Sequence, residues 1–140
     1  MSEENTAKKK INLKIITHEK VVYDNAVDEI YTHGTSGSFG VLYNHIPFIT
    51  TLEIGVTKVV SDGVEEFIST LGGIFEIRDN KAVILADEAE KGSDIDVPRA
   101  KLAKERAEAR LGNAKDKKER ARAERAIARA MARLKAASLK

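Results

Sequence analysis

The chain has 140 residues, enough for one domain with an appendage. It has no cysteine, which excludes a disulfide framework, a thiolate zinc site and a thiol nucleophile. A net charge of +2 conceals a split: residues 1–96 hold 9 Lys+Arg against 17 Asp+Glu, and residues 97–140 hold 15 against 5, so an acidic part precedes a basic one.

Residues 1–10, "MSEENTAKKK", are polar and charged without periodicity, and they predict a disordered lead-in. They lack the apolar core of a signal peptide. No apolar run in the chain reaches the ~18 residues of a membrane span, so a soluble cytoplasmic protein is expected, reaching a membrane only through a partner. From Ile11 the pattern changes to short apolar runs rich in Val, Ile, Phe and Thr: "INLKIIT", "VDEIYTH", "GVTKVVSD", "EEFISTL", "GIFEIRD" and "KAVILADE". Asp62-Gly63, Gly72-Gly73 and Asp79-Asn80 punctuate them, and "SDGVEE" and "RDNKA" suit hairpins. The spacing predicts an antiparallel β-sandwich over residues 11–92.

Between the early runs lies "SGSFGVLYNHIPF", in which Gly34, Gly37 and Gly40 sit three apart. Neither the dinucleotide spacing nor the P-loop spacing is met, and no helix follows to offer a phosphate its N-terminus. The glycines are expected to permit tight turns. His18, His33 and His45 do not have metal-site spacing, and no nucleophile stands beside an evident base.

After Lys91 the grammar becomes helical. "GSDID" supplies N-cap residues, Pro98 falls in a first turn, and no β-branched residue or glycine interrupts the run to Leu111. "GNAKD" stops it, and Asp116 can cap a second helix from Lys117 to Ala137. Residues 93–140 therefore predict an antiparallel helical hairpin, which makes the fold class α+β. Its expected seam is thin: Leu102 and Leu111 face Ile127, Met131 and Leu134, with alanines between. Such a seam stabilises weakly and predicts an arm able to detach. Arg99 and Arg106 share one helix face and Arg122, Arg129 and Arg133 share another; spacing alone favours solvated helix faces with i,i+4 support over convergence of the two sets on a polyanion.

"GSFGVLYNHIPFITTLEIGV" and "STLGGIFEIRDNKAVILADEAE", followed by a basic helical pair, resemble the epsilon subunit of bacterial F-type ATP synthase over residues 11–137. The resemblance implies a non-catalytic central-stalk subunit. It would be peripheral to the cytoplasmic face of the membrane and would help couple proton translocation to rotation. The implied partners are the gamma subunit, the membrane c-subunit ring and, through an extended hairpin, the alpha and beta subunits, whose ATP hydrolysis the hairpin would inhibit. Ser38, Phe39, Tyr43, Asn44 and His45 match the ring-contacting loop, with Tyr43-Asn44 standing where the family pattern has Pro-Gly. "IDVPRA" is similar to the I/L-D-x-x-R-A motif of those members that bind ATP as a regulatory ligand. By position this implies Glu90, Ile95, Asp96, Arg99, Ala100, Arg106, Arg129 and Arg133 around the nucleotide. A class-distinct alternative for an acidic β-domain with a basic arm is a nucleic-acid-binding module, against which the tail offers no aromatic residue to stack on bases.

Overall fold

The structure is a computed structural model and describes residues 9–139. Most of the predicted 1–10 lead-in lies outside the described residues. Eight strands come first among the described residues: β1 (Ile11–Ile16), β2 (Val21–Val27), β3 (Glu29–Gly34), β4 (Gly37–Leu42), β5 (Phe48–Ser61), β6 (Val64–Arg78), β7 (Lys81–Ala86) and β8 (Ala89–Lys91). A single 3-10 turn, Gly92–Asp94, leads into α1 (Val97–Gly112) and α2 (Lys117–Leu139).

The strand order is β2-β1-β7-β6-β5-β3-β4, with β8 paired to β6. The sheet is mostly antiparallel, as expected, but β1 pairs with β7 in parallel. No hairpin joins those two strands, so nothing forces them to oppose. The 14 residues of β5 and the 15 of β6 run through both layers of the sandwich. The first half of β6 takes β8 and its second half takes β7.

Both expected hairpins form. Asp62-Gly63 closes β5 onto β6 with Ser61 opposite Val64, and Asp79-Asn80 closes β6 onto β7 with Arg78 opposite Lys81. All four turn residues have positive φ (51° to 78°), the conformation a two-residue hairpin of right-twisted strands requires. Gly72-Gly73, expected as a break, instead lies inside β6. A Cβ on Gly73 would stand 2.1 Å from the Leu85 carbonyl oxygen, so the pair lets β6 bend against β7 without leaving the ladder.

Inward residues of seven strands form one cluster, with Phe75, Ile11, Leu13, Ile15, Ile30, Ile68, Ile77 and Ile84 fully buried. A polar thread crosses this interior. The hydroxyls of Thr32, Thr57 and Thr70 bond in a chain at 2.8 Å per link, which satisfies three groups that would otherwise be costly to bury.

Asp96 caps α1 by accepting from the Arg99 backbone N–H (3.1 Å), and Pro98 sits in the first turn, where it breaks no bond. Asp116 caps α2 through the Glu119 N–H (2.8 Å), while Glu119 reaches back to the Lys115 N–H (2.9 Å). The two helices pack on each other, and α2 packs on β5, β6 and the Gly92–Asp94 turn. The seam differs from expectation. Leu102 and Met131 are half-exposed, and burial falls on Ala100 and Ala107 of α1 and on Ala123, Ala130, Ala132, Ala136 and Ala137 of α2. Alanine lets the helix axes approach, which pushes the longer side chains to the flanks.

Lys10, the last residue of the expected lead-in, is tied to the sandwich. Its Nζ lies 3.1 Å from Asp28 and 2.9 Å from Asp62. Asp28 also accepts from the Asp62 backbone N–H at 2.7 Å. That hydrogen bond, opposed by burial and assisted by Lys10, holds the Asp28 carboxyl below the usual aspartate range. A depressed carboxyl adds stability above its unfolded pKa and loses it as pH falls through the folded value. Urea titrations below about pH 4 should therefore show a flatter acid decline for Asp28→Asn than for the parent, and the two should decline in parallel if the cluster is inert.

Candidate functional site

The helical arm meets the sandwich where β8 ends. There a cavity of about 400 Å³ opens between the start of α1 and the end of α2, lined by Glu90, Ile95, Asp96, Arg99, Ala100, Ala103, Arg106 and Arg133. The antiparallel course of the helices explains the meeting. Arg99 and Arg106 are two turns apart on one face of α1, and the last turns of α2 bring Arg133 beside them. Seven of the eight residues implied for the nucleotide thus line one cavity. Ala103 completes it; its place one turn after Ala100 was the available signal.

Arg129 is the exception. It lines a groove between the helices with Arg110, Arg122 and Arg125, and a second cavity with Asp87 and Glu88. Each four-residue step along a helix turns about 40°, so Arg129 and Arg125 fall progressively away from the flank that Arg133 occupies. Arg122, Arg129 and Arg133 do not line one cavity together.

The charge within the cavity is unevenly committed. Arg133 is held from the sandwich side: its Nη2 lies 3.1 Å from Glu88 Oε2 and its Nε 3.6 Å from Glu90 Oε1. Arg99 and Arg106 have no carboxylate within ion-pair distance among the described residues. The Asp96 carboxylate is occupied by its cap. Glu88 was missed in the sequence; the acidic Asp87-Glu88 pair just ahead of Glu90 was the clue.

The residues matched to a ring-contacting loop divide. Tyr43 and Asn44 form the exposed turn between β4 and β5, with Asn44 at φ 65°. His45 follows it, its N–H donating to the Leu42 carbonyl (3.1 Å). The turn is stitched to the β6–β7 hairpin, since the Asn44 N–H donates to Asn80 Oδ1 at 2.7 Å. Leu42, Ile46 and Ile49 are more than half exposed around it. Ser38 and Phe39 lie on β4 instead. The Ser38 hydroxyl bonds His33 Nδ1 (2.8 Å), and Phe39 packs edge-on between Phe48 and Phe75. The glycine segment is therefore a hairpin strand and not a loop. Gly37 alone of its three glycines has positive φ; Gly34 and Gly40 leave room for the rings of Phe39 and Tyr31.

The family model for the ATP synthase delta/epsilon chain β-sandwich domain matches residues 10–92, and that for the delta/epsilon chain long α-helix domain matches residues 93–138. The chain belongs to the ATP synthase delta/epsilon chain family. It is 42% identical over 127 residues to the ATP synthase epsilon chain of Nitratidesulfovibrio vulgaris, covering 91% of this chain and 95% of that one. It is 44% identical to that of Syntrophobacter fumaroxidans (91% and 96% covered) and 42% identical to that of Staphylococcus saprophyticus (92% and 97%). Among solved structures, a chain of the Euglena gracilis mitochondrial ATP synthase (OSCP/F1/c-ring) shares the fold at TM-score 0.77 and 23% identity, covering 94% of this chain and 82% of that one. A chain of the Tetrahymena thermophila central stalk and c-ring shares it at TM-score 0.60 and 14% identity, covering 90% and 95%.

Within this delta/epsilon chain, the join between sandwich and arm is set at Gly92. A Cβ there would stand 2.3 Å from the Ala136 carbonyl oxygen of α2 and 3.1 Å from the Phe67 carbonyl oxygen. Neither backbone group can rotate away. Gly92→Ala should undock α2 while the sandwich stays folded. Because the chain has no cysteine, labels at Glu19→Cys and Lys117→Cys can report the distance, and an unchanged distance distribution would show that the join tolerates the methyl.

Proposed function

We propose that the chain is a non-catalytic central-stalk subunit of a bacterial F-type ATP synthase, held peripherally at the cytoplasmic face of the membrane. The sandwich attaches it to the rotor. The helical arm, when released, restrains ATP hydrolysis by the alpha and beta subunits. The observation that carries this reading is the arginine-lined cavity at the foot of an arm docked by alanines.

The cavity fits a nucleotide. Its volume falls within the ~300–1,000 Å³ of small-ligand sites. Arg99, Arg106 and Arg133 supply planar donors for phosphate oxygens. Ile95, Ala100 and Ala103 offer apolar surface for a base, and Glu90 offers an acceptor for an exocyclic amine. ATP bridging α1 and α2 beside β8 would hold the arm down, shifting the equilibrium only by its preference for the docked form. The released arm would carry its +10 charge toward acidic segments of the beta subunits.

The rotor contacts fall on two apolar surfaces. Across the outer face of the sheet, Thr51, Ile74, Leu85, Ile16 and Val21 pair in one row from β5 to β2. Ile74, Leu85 and Val21 are 42–53% exposed, unusual for a solvated sheet face. We assign this row to the gamma subunit, and the Tyr43-Asn44-His45 turn with its apolar rim to the membrane ring.

Reconstitution with the catalytic complex tests both halves. Truncation after Asp94 should raise ATP hydrolysis, and equal rates would remove the arm from regulation. Leu85→Asp should weaken retention of the chain on the complex by about tenfold or more, as expected for a charge buried in an apolar contact. Retention equal to the parent would place the gamma contact elsewhere.

A further inference from the structure

We propose that Glu88 is a tethered competitor that sets how strongly the arm's cavity holds a phosphate-bearing ligand, by drawing on the charge of Arg133 from outside the cavity. The inference rests on the anion-site reading above and assigns a role to a residue that the site itself does not include.

Among the described residues, Arg133 is the one cavity arginine with carboxylate partners. Glu88 accepts a hydrogen bond from Nη2 at 3.1 Å and Glu90 lies 3.6 Å from Nε, so two carboxylates flank the guanidinium before any ligand arrives. A guanidinium serves a phosphate best through a pair of parallel N–H bonds. A phosphate oxygen at Arg133 must therefore displace a carboxylate or sit beside two of them. The two acids are not equivalent. Glu90 lines the cavity and can turn toward a ligand. Glu88 belongs to the turn after β7 and lines the neighbouring cavity with Asp87, Arg125 and Arg129. It does not line the first cavity and meets it through Arg133, as a positioning residue. Its side chain is 56% exposed and that of Arg133 26%, so the pair is a modest surface bridge. Modest suits the task. The carboxylate neutralises Arg133 while the cavity is empty, ties α2 to the sandwich, and yields to a multiply charged anion.

The experiment titrates ATP, and separately adenosine, into the full-length chain by calorimetry. The parent, Glu88→Gln and Arg133→Ala are compared, with the Glu19→Cys/Lys117→Cys label pair reporting the docked fraction so that affinity refers to the docked form. Glu88→Gln should bind ATP about 2- to 5-fold more tightly, the range expected for one partly exposed bridge, with adenosine unaffected. Arg133→Ala should bind ATP more weakly. Unchanged or weaker ATP binding by Glu88→Gln, with Arg133→Ala impaired, overturns the competitor role and leaves the site standing. An equal gain for adenosine would mark a packing effect and also overturn it. ATP binding by Arg133→Ala equal to the parent would remove Arg133 from the site and overturn the competitor role, whereas no ATP binding by the parent would end the anion-site reading itself.

Discussion

Everything distinctive about the docked arm follows from one close approach of backbone to backbone. The Ala136 carbonyl of α2 sits over Gly92 so tightly that no side chain at position 92 fits. The remaining buried α2 positions are also alanine, at 123, 130, 132 and 137. A contact made this way is specific in geometry and weak in energy. Each alanine methyl removes little apolar area from water, worth about 0.8 kcal/mol per methylene-sized group. Val56 and Leu71 are buried but stand apart from the interior cluster, on the β5–β6 surface beside α2. When α2 leaves, the sandwich interior stays closed, and its main cluster of Phe75 and the isoleucines is untouched.

The electrostatics complement this packing. An acidic body carries a basic arm, and the one long-range ion-pair system between them among the described residues is Glu88 and Glu90 with Arg133. The arm's other arginines face water or the cavity without partners among the described residues. The docked state thus keeps most of its positive charge unspent. In the proposed function, an anion at the cavity and an acidic partner surface both draw on that charge and pull the arm in opposite directions.

The strands were legible where alternation and turn chemistry agreed, as at Asp62-Gly63 and Asp79-Asn80. They were misread where glycine served sterics and not turning: Gly40 accommodates Tyr31, and Gly73 admits the Leu85 carbonyl, both within strands. β2 was hard to see because "VVYDNAV" breaks alternation with Asp24 and Asn25, and its place at the sheet edge tolerates that. At the site, the positions of Arg99, Arg106 and Arg133 followed from helical spacing once the hairpin was recognised. The fate of Arg129 did not, because a 40° step decides which flank it lines, and only the relative rotation of two packed helices fixes that. Glu88 was harder to read for a different reason. Its role depends on a contact 45 residues away, across the join of two units that local patterns treat separately.

In the proposed function, that join is also where regulation resides. A large aliphatic interface would need several kcal/mol to open, more than a ligand present near its dissociation constant can tip. An alanine interface with one glycine at its tightest point reduces the difference to what a few charge-assisted hydrogen bonds can supply. High alanine content meanwhile keeps both helices helical when they are apart, so release costs packing but not secondary structure. In the proposed reading, a ligand that bridges α1, α2 and β8 binds the docked form alone and shifts the docking equilibrium by RT ln(1 + L/Kd), with L the free ligand concentration.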